Sequence, residues 1–196
     1  MKRNISILLT ILMLLMLVFS TVSADETVNL ALGTEVRSST SVDNFGWFAE
    51  YVTNGMRDFD EENVIRGWSS AIRFFNPEIA RENSTQWIKI DLGDVYTISQ
   101  VDLYPRPDEG NVGEYFPIDF VIQVSTEASA WEQTDESDDD WTTVVTQTDV
   151  EKPEDGSVQS FTFVPIAARY VRVKATELRE GSDGYVFQLA EIEVYE

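Results

Sequence analysis

Residues 86–106, Gln-Trp-Ile-Lys-Ile-Asp-Leu-Gly-Asp-Val-Tyr-Thr-Ile-Ser-Gln-Val-Asp-Leu-Tyr-Pro-Arg, carry the pattern that decides the fold. Ile88, Ile90 and Leu92 fall on one side and Trp87, Lys89 and Asp91 on the other, the period-two alternation of a half-buried strand. Gly93 and Asp94 break the pattern and read as a turn. Val101 and Leu103 then resume the apolar face with Asp102 opposite, and Pro105, which has no N–H to give to a ladder, ends the strand. The stretch therefore predicts two strands joined by a turn. It also places the residues from Arg106 onward in a loop at a sheet end, where binding groups concentrate.

The same punctuation recurs outward from this stretch. A first strand is predicted over residues 36–40, and others over 119–125, with Phe120, Ile122 and Val124 inward, and 141–148. Phe161 and Phe163 mark a further strand, Val171 and Val173 the next, and Ile192 and Val194 the last; residues 151–156 read as a turn and 180–184 as a loop. Short strands separated by turn signals, with no long helical period, predict an all-β antiparallel β-sandwich, a jelly roll of two packed sheets. Two segments carry no period. Residues 131–140, crowded with acids, read as a solvated hairpin tip. In the irregular segment between Trp68 and Gln86, Phe74 and Phe75 are expected to cover the core, with a ligand platform as the alternative. That segment also holds a sequon, Asn83-Ser84-Thr85, which matters only in a eukaryotic secretory pathway.

Composition excludes several functions. The formal charge is −21, from 35 acidic against 14 basic residues, which repels phosphate backbones and anionic headgroups, so neither nucleic acid nor an anionic membrane is an expected partner. With no histidine and no cysteine, Ser-His-Asp and Cys-His catalysis and the usual zinc sites are ruled out. Paired carboxylates of the glycosidase type remain, but no acid stands within an apolar stretch that would raise its pKa, so the chain is not expected to be an enzyme. Lys2 and Arg3, the apolar run from Ile5 to Phe19 and the small residues Val22-Ser23-Ala24 read as a signal peptide over residues 1–24, in preference to an uncleaved anchor. Residues 25–196 then form one exported domain, secreted or on a bacterial cell surface. Lacking disulfides, it depends on a large apolar core, to which a metal would add.

Trp87-Ile88-Lys89-Ile90-Asp91-Leu92-Gly93, followed by the run from Ile98 to Arg106, resembles the centre of a discoidin domain, also called the coagulation factor V/VIII type C domain. Further signatures stand in order: residues 29–33 (Asn-Leu-Ala-Leu-Gly), Trp68-Ser69-Ser70, Phe116-Pro117-Ile118-Asp119-Phe120, residues 168–173 and residues 188–194. The resemblance spans about residues 29 to 195 and is to the bacterial family-32 carbohydrate-binding modules in particular. It implies a galactose-binding-domain-like jelly roll acting as a non-catalytic glycan-binding module, alone or within a larger glycoside-active or adhesive protein. Cell adhesion through protein binding is the alternative.

The resemblance also implies sites. A structural calcium would take the side chains of Asn54, Asp58 and Glu191 and the carbonyls of Tyr51, Arg66 and Ala190. Asn54 replaces the usual Asp, and the longer loop before Trp68 offers Asp60, Glu61 and Glu62 as competitors. Calcium needs roughly six to eight oxygens, which acids and carbonyls together supply. For the sugar, Arg106 and Asn111 match positions that hydrogen-bond hydroxyls, and Trp47, Tyr185 and Phe187 are candidates to stack on the pyranose. Trp47 reads equally well as a core residue, and Arg106 as the partner of Asp108 or Glu109. The family's galactose binders use a histidine that this chain lacks, so a different sugar preference is expected.

Overall fold

Alternating β-branched and aromatic residues build ten strands among the described residues, 27–72, 74–78 and 80–196, of a computed structural model. In chain order they are β1 (Glu35–Ser38), β2 (Trp68–Ser69), β3 (Gln86–Tyr104), β4 (Asp119–Ser125), β5 (Thr142–Gln147), β6 (Gln159–Glu177), β7 (Arg179–Gly181), β8 (Gly184–Val186), β9 (Gln188–Leu189) and β10 (Glu191–Tyr195). One turn of 3-10 helix spans Ala49–Thr53, and one of α-helix, α1, spans Ala128–Glu132. The expected signal peptide lies outside the described residues.

Two long strands replace four predicted short ones. β3 does not reverse at Gly93 but runs on for 19 residues beside β6, also of 19, pairing Ile88 with Val173 at one end and Val101 with Phe161 at the other. Between them the register shifts, once between Asp91 and Tyr96 and again between Ile98 and Gln100, so the apparent turn is a bulge. Asp91 fastens it: its carboxylate accepts the Gly93 N–H at 2.8 Å and two N–H bonds from Arg169, at 2.8 and 2.9 Å. The Arg169 hydrogen bonds, opposed by partial burial, hold the Asp91 carboxyl below the ordinary carboxylate range. β1 and β10 flank opposite halves of β3, while β4 lies against β6 and carries β5 at the edge, all antiparallel. Ile88, Ile90, Val101, Leu103, Phe120, Ile122, Val171 and Ile192 meet in one apolar cluster around Trp68. The two ends of the domain also meet: Leu30 N–H donates to the Val194 carbonyl at 2.8 Å, and Val194 N–H to Asn29 Oδ1 at 3.1 Å.

The face of the sheet opposite the core is also covered: residues 131–140 are largely exposed, as expected of a solvated segment, but they begin in α1 and lie over buried cations where a free hairpin tip was expected. Lys89 on β3 and Arg172 on β6 are 2% and 1% exposed, with Lys174 buried beside them. Helix α1 and the acidic residues after it lie over these cations. Lys89 Nζ donates to the carbonyls of Ala130 and Trp131 at 3.2 and 2.6 Å, and to that of Gln133. Arg172 donates to Gln123 Oε1, the Ser137 carbonyl at 2.9 Å and Asp138 at 2.8 Å, and Lys174 also reaches Asp138. The rings of Trp131 and Tyr170 stack, and Arg172 lies 4.4 Å from the Trp141 ring centre. Burial pulls the Lys89 ammonium down to about 8 and the Arg172 guanidinium to about 10. A charge-rich, aperiodic segment reads as a free tip unless its partner is visible; here the partner is a row of cations that alternation alone assigned to the exposed side.

Candidate functional site

Five loops converge where the second half of β3 ends. Ala190 N–H donates to the Tyr104 carbonyl at 2.9 Å and Gln188 N–H to that of Tyr115 at 3.1 Å, tying the β9 region to the loop after Pro105. Ser70 N–H reaches the Phe187 carbonyl and Tyr185 N–H the Ala80 carbonyl, both at 2.9 Å, bringing in the segment between β2 and β3. Arg66 N–H bonds the Gly46 carbonyl at 2.9 Å, joining the loop after β1 to the one before β2. Gly67 makes a close approach, at φ +113°, where a Cβ would meet the backbone of Leu189 and Ala190.

Arg106 stands at the middle of this end, largely buried, with its guanidinium 5.6 Å from the Trp47 ring centre. Asp108 accepts from both Nε and Nη2, the latter at 2.7 Å, and Gln188 Oε1 accepts from Nη1 at 3.2 Å. Asn111 Nδ2 donates to the same Asp108 carboxylate at 2.9 Å. Burial alone would raise the Asp108 carboxyl, but the hydrogen bonds from Arg106 and Asn111 outweigh it and hold the group below its ordinary value. The result is a preformed Arg–Asp–Asn constellation. Three of the five guanidinium N–H groups are engaged in hydrogen bonds, Nη1 also lies 3.7 Å from the Glu114 carboxylate, and Asn111 Oδ1 adds an acceptor. Arg106 and Asn111 are therefore together, joined by the Asp108 pairing that the sequence offered as the alternative for Arg106.

The stacking candidates fare differently. Phe187 is fully buried and packs edge-on against Trp68 at 5.0 Å, so it is a core residue and presents no face to a ligand. Its place next to β9, where the chain turns into the apolar cluster, is the physical reason. Trp47 is 8% exposed, with Phe59 edge-on against it at 5.3 Å; it backs Arg106 and does not serve as a platform. Tyr185 is half-buried, with its hydroxyl donating to Glu180 at 3.2 Å. The expectation that Phe74 and Phe75 cover the core is overturned. Phe74 is 79% exposed and Phe75 42%, and Phe45, 60% exposed, joins them. The Phe45 and Phe75 centroids lie 5.7 Å apart, those of Phe74 and Phe75 5.0 Å. The sequence signal was present: adjacent aromatics with no period before Asn76-Pro77 sit in a turn, which cannot turn both inward.

Glu191 supplies the test of the expected cation. It is fully buried on β10, Oε1 accepts the Gly55 N–H at 2.8 Å, and Oε2 has no hydrogen-bond partner. Burial pushes its carboxyl up to about 8. An orphaned carboxylate oxygen beside the carbonyl-rich turn Ala49–Thr53, with Asn54 following it and Gly67 pressed on Ala190, suits a hard cation. Asn54 Oδ1 accepts the Met56 N–H at 2.8 Å. Asp58 is exposed, with no side-chain hydrogen bond or ion pair among the described residues, while Asp60 bonds Asn63 and Glu61 pairs with Arg66. Among the described residues no three acids converge, so a cation here would rest largely on carbonyls.

The fold and these loops have known relatives. The NedA-like, galactose-binding domain of the F5/F8 type C group matches residues 68–173, more than half of the chain, and the chain belongs to this family. It is similar to the chitosan-binding module 1 of a chitosanase/glucanase from Paenibacillus sp. IK-5, at 28% identity over 86% of this chain and 99% of that one, with TM-score 0.58. It is also similar to module 2 of the same enzyme, solved with chitotriose, at 27% identity over 86% and 100%, with TM-score 0.59. The family-32 module of C. perfringens NanJ, in complex with galactose, shares the fold at 19% identity over 87% and 98%, with TM-score 0.58. No curated protein matches the sequence.

Proposed function

We propose that this domain is a non-catalytic carbohydrate-binding module that holds a glycan on its converged loops. The observation that carries the reading is the preformed Arg106–Asp108–Asn111 constellation, with its guanidinium donors and an amide oxygen, beside exposed aromatic rings at the same end. Directional donors with a stacking surface are what sugar hydroxyls and the apolar pyranose face require. The two relatives described as chitosan-binding modules support a polysaccharide ligand. Binding without turnover fits the absence of histidine and cysteine, and residues 1–24 support export to the cell surface or beyond. Calcium is part of the same reading: Asn54 and Glu191, with the carbonyls of Tyr51, Arg66 and Ala190 and Asp58 within the loop, would hold it. Its charge would stabilise the buried Glu191 carboxylate and fix the loop before β2.

The test is affinity electrophoresis and a glycan array on residues 25–196, with and without Arg106→Ala. Retention on at least one glycan is expected, together with its loss in the variant while the circular dichroism spectrum is kept. A domain that retains no glycan would overturn the reading; undiminished binding by the variant would move the site off Arg106.

A further inference from the structure

Phe45, Phe74 and Phe75 are three neighbouring large apolar side chains held in solvent, and their backbone shows that the arrangement is built. Phe45 has φ +53°, a conformation bulky residues rarely adopt. A tight turn keeps it there: Asn44 Oδ1 accepts the Phe45 N–H at 2.8 Å, and the Asn44 carbonyl accepts the Trp47 N–H at 2.9 Å. Gly46 lies so close to the Val64 carbonyl that any side chain there would collide with it. On the facing loop the Ile72 carbonyl accepts the N–H groups of Phe75 and Asn76, at 3.1 and 2.8 Å, fixing the turn that carries Phe74 and Phe75. The Phe45 and Phe75 rings are inclined to each other by 34°, and Phe74 stands edge-on to Phe75 at 88°. Trp47 connects this platform to the polar constellation, lying two residues from Phe45 and against Arg106.

The surroundings choose among possible occupants. The loops at this end, residues 42–50, 70–85, 106–115 and 179–184, carry nine acids against four arginines. Of those arginines, Arg106 is held by Asp108, and Arg179 donates to the carbonyls of Phe116 and Val150. With nine acids against four arginines, these loops carry a net negative charge. An anionic polysaccharide or an acidic lipid surface would be repelled, and a neutral glycan gains nothing from it. A glycan with free amines gains at every repeat.

We propose that Phe45, Phe74 and Phe75 form a stacking platform for an extended amino-glycan and that the acidic loops around it select a polycationic chain of unacetylated amino sugars. The inference rests on the glycan reading above and adds the platform and the charge class. Sugar rings lie on Phe45 and Phe75 through their C–H faces, against the wall of Phe74, while ammonium groups face the carboxylates. The chain then runs on toward Arg106 and Asn111.

The experiment is calorimetric titration of residues 25–196 with a glucosamine hexamer and an N-acetylglucosamine hexamer, at low and high salt, using wild type and Phe74→Ala/Phe75→Ala. The glucosamine hexamer is expected to bind wild type at least about tenfold more tightly than the acetylated one and to weaken as salt rises. The double variant, with an unchanged melting temperature, is expected to lose at least about tenfold in affinity for it. Equal or tighter binding of the acetylated hexamer would overturn the charge class, and undiminished binding by the double variant would overturn the platform; both leave the glycan reading standing. Binding of neither hexamer while an array glycan is retained overturns the inference alone, and retention of no glycan overturns both. Phe-dependent pelleting with phosphatidylcholine vesicles in place of sugar binding would assign the platform to a membrane and overturn the proposal.

Discussion

The acidic segment over α1 and the loop end around Phe45 treat polarity in opposite ways. At the first, cations are buried: Lys89, Arg172 and Lys174 face one close carboxylate, Asp138, and a set of backbone carbonyls. At the second, phenylalanines are exposed beside polar groups that keep hydrogen-bonding capacity in reserve. Buried charges saturated by internal acceptors contribute to stability and shape and have nothing left for a ligand. Exposed rings contribute little to stability and retain all their contact surface. The buried cations are thus sealed beneath acids that stay mostly exposed, and the phenylalanines are the apolar surface that the hydrophobic core left out.

The contrast can be broken most directly at Arg172. Arg172→Ala removes a guanidinium that satisfies Gln123, the Ser137 carbonyl and Asp138, and should cost about 3–5 kcal/mol of unfolding free energy in urea titration. A loss below about 1 kcal/mol would mean that water replaces it and that the acidic segment is loosely held. The loop end offers a second test, since its own buried charge, Glu191, lacks an internal partner for one oxygen. Calcium at about a hundredfold excess over its Kd should raise stability by about 2.7 kcal/mol, and Glu191→Gln should abolish the response. A melting curve indifferent to both calcium and chelator would remove calcium from the loop end.

A smaller effect is expected at Asp138. Burial works to raise its carboxyl, but hydrogen bonds from Lys174 and Gln123 outweigh that and hold it below 3.8. A carboxylate lowered on folding stabilises at all pH above its unfolded value and loses that contribution as pH falls through the folded one. Urea midpoints of wild type and Asp138→Asn should therefore differ near neutrality and converge as pH drops below 3.8; a constant gap would show that the charge of Asp138 is not what matters. The smallest effect should come from Phe74→Ala, within about 0.5 kcal/mol because the ring is exposed. A larger loss would show that the phenylalanine cluster supports the fold, and the contrast between the two regions would narrow.

The sequence was most legible where one face of a strand meets one environment. Phe120, Ile122 and Val124 placed β4 at Asp119–Ser125 with its bounds as read. It was less legible where a strand bends, because Gly93-Asp94 has the composition of a turn whether the chain reverses or bulges, and the pairing with β6 that decides between them lies some 70 residues away. Distance in the chain likewise hid the fate of residues 131–140, whose carbonyls meet Lys89 on β3 and whose Asp138 meets Arg172 and Lys174 on β6. At the site, Arg106 and Asn111 came from a resemblance of motif and stand together. Phe187 failed as a stacking residue because a strand-like position says which side a ring leaves from, not whether the next layer covers it. Phe45 stood in an aromatic cluster with Trp47 and Phe48, but its left-handed backbone, φ +53°, has no signature in the sequence.

The meeting of the two ends has a mechanical consequence. Tension applied between the flanking chain on either side would arrive at one small spot, where Asn29 and Leu30 hold Val194 by two hydrogen bonds. Those would give way singly, and β10 would then peel from β3 one rung at a time from Tyr195 toward Glu191 without the sheet resisting in shear. The load path would thus run through Glu191 and the loop end before it touched the long ribbon of β3 and β6. A domain strung in this way would give up its terminal clasp first and its loop end next, before the long ribbon.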